Sequence, residues 1–490
     1  MSLLIPGTNS IKDTGYDVAN SLRFNDGSND YLSISGITPT NSKKFTYSFW
    51  VKRTVFNTDQ AMLSYESDSN NRGGIELQTG ELFRYFERVG GSTVIFVEIS
   101  SLFTDPSAWY NIIVATDTTQ STESDRVKIY VNGVLQTSFA TSVIYPSQNS
   151  DTRANGSTAK NIGRRNVNND YYFDGYLAEV VFIDGSQLDQ TSFGEFDSDS
   201  PRIWKPKDVS GLTFGNAGFH LDFENSSSLG ADVSGNSNNF TANNLTSIDQ
   251  CTDTCTNNFN ILNPIHPTAS NFTISEAATK ISKTGSSHNK GGYLGTLMPT
   301  TSGKWYFEAK IDEAADGDRG RVGIANYDSI TGTDTMQTMS NASGLEVSTK
   351  GAVLFVTVNG TTTENTSSGT FSDGDIIQFA MDLDNKAIYV GRNGTYLTLT
   401  GSSGGDPTSG SSKTGAIVTD TSYILNGGPM CSYFGSYVGG VNDTTTVSFN
   451  FGNPAYSLSS GNADGNGFGN FEYAPPTGYL AWCTKNLGDS

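Results

Sequence analysis

Three small groups of residues have the types and spacing to do chemistry. Asn169, Asp170, Tyr171 and Tyr172 stand together just before a strand-like segment at 176–184. Amide and carboxylate groups pair with sugar hydroxyls, and a tyrosine ring offers an apolar face on which a pyranose can stack. Loops carry such groups more often than framework strands do. The competing structural reading is a solvated loop whose tyrosines flank the core. Asp222 and Glu224, within LDFENS, form the one credible acid pair. Glycoside hydrolysis needs two carboxyl groups about the scissile bond. Two acids at alternate positions of a strand are also what a wetted sheet face carries, so no catalytic residue is expected. Cys251 and Cys255 are spaced C-x3-C, and with His220, His266 and His288 they meet no zinc-site pattern. Two thiols are expected there, with a local disulfide as the alternative. Cys431 and Cys483 read as small buried hydrophobes, and His220 as a surface residue.

The elements that must position these groups read as strands. In FTYSFWVKR, 45–53, Phe45, Tyr47, Phe49 and Val51 share one face, and Thr46, Ser48, Trp50 and Lys52 the other. That alternation predicts a strand with one apolar face. WYNIIVATD, 109–117, reads as a more buried strand. In VKIYVNGVLQ, 127–136, Asn132-Gly133 is the favoured two-residue hairpin turn. A second set of strands runs from GKWYFEAKI, 303–311, through 375–394 and YILNG, 423–427, to TVSFNFG, 446–452. No window sustains a helical period over three turns. The expected class is all-β, with two antiparallel β-sandwiches in tandem.

Composition agrees. Charged residues are only 16% of the 490, hydrophobic residues 35%, and glycines number 53. Many short strands joined by polar turns have this profile. The net charge of -20 argues against a nucleic-acid partner. No apolar run approaches the roughly 20 residues that span a bilayer, so no membrane insertion is expected. The start, MSLLIPGTNS, lacks the basic head and apolar run of a secretory signal, which suggests cytosolic synthesis.

FTYSFWVKR, WYNIIVATD, VKIYVNGVLQ, NIGRR at 161–165 and FDGYLAEVVFIDG at 173–185 resemble the framework strands of laminin-G-like domains, the concanavalin A-type jelly roll. GKWYFEAKI, VGIA at 322–325, DGDIIQFAMDLDNKAIYVGRNG at 373–394 and VSFNFG at 447–452 look like a SPRY domain. These resemblances imply an attachment lead at 1–15, a first sandwich over 16–245, a connector at 246–290 and a SPRY-like sandwich with a C-terminal extension over 291–490. FHLDFEN, 219–225, is expected to return to the first sheet, with 230–240 as an exposed loop. Laminin-G-like domains often hold calcium at the rim, which makes Asp68, Asp125 and Asp170 candidate calcium ligands. Together with WKPKDVSG, NNFNILNP and GYLAWCTKNL, the arrangement resembles structural proteins of tailed bacterial viruses. That likeness implies a virion protein made in the bacterial host cytoplasm, with other virion proteins and a homo-oligomer, a trimer for preference, as partners. The expected role is a tail fibre or adhesin binding host surface glycan. Head decoration or tail scaffolding without a host ligand is one alternative, and a glycanase of concanavalin A-like fold is another.

Overall fold

The computed structural model describes residues 15–265, 272–283, 291–299, 302–314, 320–330, 339–350, 354–365, 371–436 and 444–487. The chain divides into two units, 1–258 and 259–490. Each is built on a pair of stacked, antiparallel sheets, so the protein is all-β. The one α-helix among the described residues is Thr484–Leu487. None of those residues forms a helix long and apolar enough to cross a membrane. The attachment lead expected at 1–15 lies outside the described residues, apart from Gly15.

In the first unit, Lys44–Arg53 lies between Trp109–Asp117 and Gly175–Asp184. Its inward side chains meet the opposite sheet ring to ring: Phe45 contacts Tyr85 at 5.9 Å and Phe49 contacts Phe83 at 6.5 Å. Val127–Val131 turns into Val134–Leu135 through Asn132 (φ 45) and Gly133 (φ 75). Both positive angles are those of a type I′ turn. Glycine is required twice over at 133, because a Cβ there would collide with the Trp204 indole. The opposite sheet is ordered Thr241–Asn243, Tyr31–Ile34, Lys160–Ile162, Gln60–Asp68, Asn71–Leu77, Phe83–Val89 and Ser92–Ile99.

Lys44–Arg53 does not have the wetted face that alternation predicts. Thr46, Ser48, Trp50 and Lys52 are all buried, because later chain covers them. Phe193, Val209 and Phe214 join Ile113, Val181 and Ile183 in a second apolar cluster. Trp204 Nε1 donates to Asn111 Oδ1 at 3.0 Å. Further along, Lys52 Nζ donates to Asp253 Oδ2 at 2.7 Å and to Asn258 Oδ1 at 2.6 Å. Trp109 Nε1 donates to Asp253 Oδ1 at 3.0 Å, and neither Lys52 nor Asp253 has any exposed side-chain surface (0%/0%).

The expected connector at 246–290 is therefore corrected. Gln250–Cys251 pairs with Ser21–Phe24, and residues through 258 belong to the first unit. Phe272–Ser275 and Lys280–Lys283 form a hairpin whose second strand pairs with Thr445–Asn450 in the second unit. Strands of two to four residues carry too little alternation to stand out from turns, which is why this region reads as irregular.

Phe219–Leu221 does return to the first sheet, beside Val180, Val181 and Phe182. Ser21–Phe24 occupies the same edge of Gly175–Asp184 beside Gly175, Tyr176 and Leu177. The handover falls at a register shift between Ala178 and Val181, where Glu179 takes φ 47. The bulge lets one strand serve two partners. Phe223, Leu229 and Phe240 then enter the core, and Thr241–Asn243 pairs in the opposite sheet. The 230–240 loop is tied down throughout. Asp232 accepts from the backbone N–H groups of His220, Ser234 and Asn238.

The second unit repeats the device. Tyr306, Tyr389, Phe471 and Tyr479 pack together on a sheet face that alternation would leave wet. The Glu308 carboxylate, buried beneath them, accepts from Tyr306 Oη, Asn450 Nδ2 and the N–H groups of Glu472 and Tyr473 at 2.8–3.1 Å. The strand expected at 423–427 is a turn, closed by Asp420 Oδ1 accepting from the N–H groups of Ser422 and Tyr423.

Candidate functional site

The chain from Gly163 to Tyr172 leaves the Lys160–Ile162 strand, turns, and returns toward Gly175–Asp184. Arg165 and Asp170 form an isolated β-bridge across it. Their side chains make a two-pronged ion pair, Nε to Oδ1 at 2.8 Å and Nη2 to Oδ2 at 2.6 Å. The Arg165 guanidinium also lies 3.8 Å from the Tyr171 ring centroid. Glu66 Oε2 accepts from the Val167 N–H at 2.6 Å, which fixes the turn to the sheet. Asn169 and Tyr171 take positive φ angles of 51 and 57. For a tyrosine this left-handed conformation costs on the order of 1–3 kcal/mol and persists only where the surroundings enforce it.

The four loop residues singled out by sequence divide into two pairs. Tyr171 and Tyr172 line a cleft of about 350 Å³ with Asp26, Asn57, Asp59 and Thr79. Asp59 Oδ1 accepts from the Thr79 N–H at 2.7 Å and from its hydroxyl at 3.0 Å. Burial raises the Asp59 carboxyl, but the bonds from Thr79 and from the Tyr171 phenol outweigh it and hold the group below its ordinary value. Burial, joined by Asp59, raises the Tyr171 phenol. The cleft thus offers two aromatic rings, an ionised carboxylate and a threonine hydroxyl oxygen that can accept. Asn169 and Asp170 do not line it. Asn169 Oδ1 accepts from Arg164 Nη1 at 2.8 Å, and Asp170 is held by Arg165. They shape the loop. Arg165 and Asp59 went unseen in the sequence; an arginine directly before a polar loop that holds one acid was the only available signal for the ion pair.

The structure does not bring the three candidate calcium ligands together. Asp68 Oδ1 closes its own turn, accepting from the N–H groups of Asn70 and Asn71. Asp125 pairs with Lys128 at 3.2 Å, and Asp170 with Arg165. Calcium takes six to eight oxygens. Among the described residues no group of three or more His, Cys, Asp or Glu side chains is placed to hold a metal ion.

Asp222 and Glu224 do not line this cleft. Asp222 Oδ1 accepts from the Glu224 N–H at 3.1 Å, across Phe223 at φ 59. His220 is not the surface residue expected. It is buried, its Nε2 is 3.0 Å from Glu179 Oε2, and its ring is stacked on Phe214. His266 and His288 lie outside the described residues. All four cysteines are buried thiols.

The family profile of the concanavalin A-like lectin/glucanases superfamily (Laminin_G_3) matches residues 26–190. No curated protein matches the chain. Among solved structures, the SPRY domain of human HERC1 is 17% identical, with 37% of this chain and 92% of that one covered and a TM-score of 0.27. The SAP-like pentraxin of Limulus polyphemus is 11% identical over 35% of this chain and 80% of its own, TM-score 0.27. Domains LG4-5 of the mouse laminin alpha1 chain are 10% identical over 89% of each chain, TM-score 0.27.

Proposed function

We propose that this chain is a structural protein of a tailed bacterial virus, a tail-fibre or adhesin-like component that holds a host surface glycan noncovalently. The observation that carries the glycan reading is the Tyr171–Tyr172 cleft, presented on a loop already fixed by Arg165, Asp170 and Glu66. Two rings supply stacking faces, and Asp59 and Thr79 supply polar partners for hydroxyls. The match of residues 26–190 to a superfamily that contains lectins supports the same reading. The virion assignment draws on the chain-wide motifs, from WKPKDVSG to GYLAWCTKNL. Single sugar sites are weak, and repetition in a homo-oligomer, trimeric for preference, would raise avidity without new contacts.

The test is adsorption. Purified protein should bind intact host cells and compete with virus, and Tyr171→Ala with Tyr172→Ala should abolish both effects. Saturating protein that neither binds nor competes sinks the adhesin reading. Normal adsorption by particles lacking the chain would mark it as decoration or scaffold. Shortening of the host polysaccharide would mark it as a glycanase.

A further inference from the structure

We infer that a second cavity, on the far side of the same loop, is a subsite for a carboxylate-bearing sugar, a hexuronate, of the bound glycan. This rests on the glycan reading above and gives it a substrate class.

The cavity is about 530 Å³. Its floor is one rank of a sheet: Asn161 lies opposite Ser33, and Ser33 opposite Thr241, so the three side chains share a face. Arg164 and Asn166 form one wall, and residues 35–37 and 237–239 the others. Among the described residues the Asn161 side-chain amide makes no hydrogen bond, and it is not sealed off: what little surface Asn161 exposes, 3%, borders the cavity. A side-chain amide with so little exposure is normally paired. It faces the cavity, where a ligand can supply the partner.

Charge selects the ligand. The chain carries 50 acidic residues against 30 basic ones, yet no Asp or Glu lines this cavity. Its lining includes Arg164 and Lys160, whereas the tyrosine cleft holds Asp26 and Asp59. The Arg164 guanidinium is fixed 3.4 Å from the Tyr31 ring centroid and by its bond to Asn169. The Lys160 side chain turns to the opposite face of the sheet, its ammonium over the Phe182 ring and donating to the Gly156 carbonyl at 3.1 Å, so Arg164 supplies the cation here. A carboxylate can accept from Arg164 and Asn161 in charge-assisted bonds, while Ser33 and Thr241 meet ring hydroxyls. The walls are set in advance. A Cβ at Gly36 would collide with the Ser157 carbonyl, and Asn238 Nδ2 donates to the carbonyls of Asn216 and Gly218 at 2.9 and 2.8 Å. Little ordering cost is left for binding.

The experiment is calorimetric titration of the full chain with oligogalacturonates, their methyl esters and neutral hexose oligomers of equal length. The free acid should bind about tenfold tighter than its ester, the scale of one charge-assisted bond. Arg164→Gln and Asn161→Ala should each erase that difference. Asn161→Ala should do so with an unchanged melting temperature, since its amide holds nothing in the protein. Tyr171→Ala should weaken acid and ester alike. Binding of neutral or esterified sugars with no preference for the acid overturns this inference and leaves the glycan reading standing. Binding of no sugar removes both.

Discussion

Asp253→Ala puts the redrawn boundary between the units to the test. The substitution leaves the Lys52 ammonium buried without its carboxylate and removes the acceptor of Trp109 Nε1. Burial already pulls the Lys52 pKa down, and Asp253 opposes that pull. Breaking one partner of a buried ion pair costs about 3–5 kcal/mol. Asn258 Oδ1 stays at 2.6 Å from the ammonium and keeps the loss within that range. For a unit of this size each kcal/mol moves the midpoint by about 2–4 °C, so the first unit should melt about 6–20 °C lower. Scanning calorimetry reads the shift. Tryptophan fluorescence assigns it, because Trp50, Trp109 and Trp204 belong to the first unit and Trp305 and Trp482 to the second. Lys52→Met with Asp253→Leu removes both charges and should recover most of the loss. A shift below about 2 °C for Asp253→Ala would refute the docking of residues 251–258 on the sheet. A double variant as unstable as the sum of its singles would refute the ion pair as the cause.

His220 should titrate above 6.5: burial pulls its pKa down, but the hydrogen bond and charge of Glu179, with Asp222 and Asp232, more than offset the pull. A raised folded pKa means that the pair's stabilisation is complete below about 6.5, the unfolded value, and is lost as pH rises through the folded one. Ring-proton NMR should show this, and His220→Gln should flatten the stability profile across that window; a histidine titrating below 6 contradicts the pairing. Glu308→Ala should destabilise the second unit by about 3 kcal/mol or more, because four donors lose one acceptor, and Glu308→Gln, which keeps a carbonyl oxygen, by clearly less; denaturant midpoints decide. Burial pushes the Cys431 thiol up to about 12, so it should resist alkylation in the native chain and react on unfolding. Mass-mapped labelling of native protein at Cys431 would count against its burial.

What was legible followed from period and turn chemistry. Alternation over 45–53 and 109–117, and Asn132-Gly133 between apolar strands, marked the framework, because long strands repeat their signal. The cover over that framework was not legible. Thr46, Ser48 and Lys52 are polar, and polar alternate positions read as solvent-facing; only Trp50 among them hinted at a lid. The partners, Asp253 and Asn258, stand some 200 residues further on, in a stretch whose strands are too short to show a period. The candidate site was half legible for a similar reason. Residue type marked Tyr171 and Tyr172, but Asn161, inside a three-residue strand, looks like any turn asparagine until the cavity above it is seen.

The first and last described strands of the first unit are neighbours, Ser21 opposite Cys251, and just beyond them Val18 N donates to Thr256 Oγ1 at 3.1 Å while Thr256 Oγ1 donates back to the Val18 carbonyl at 3.2 Å. This makes the unit a mechanical bypass. A pull entering ahead of residue 18 and leaving beyond residue 258 runs through that clasp, with Ser21 and Lys52 gripping Asp253 behind it. The pair Ser21–Cys251 would be peeled apart one bond at a time, so the clasp rather than the sheet sets the force at which the unit opens. Up to that force the loop from Gly163 to Tyr172 carries no tension, and a sugar held there would feel the pull only through its own bonds.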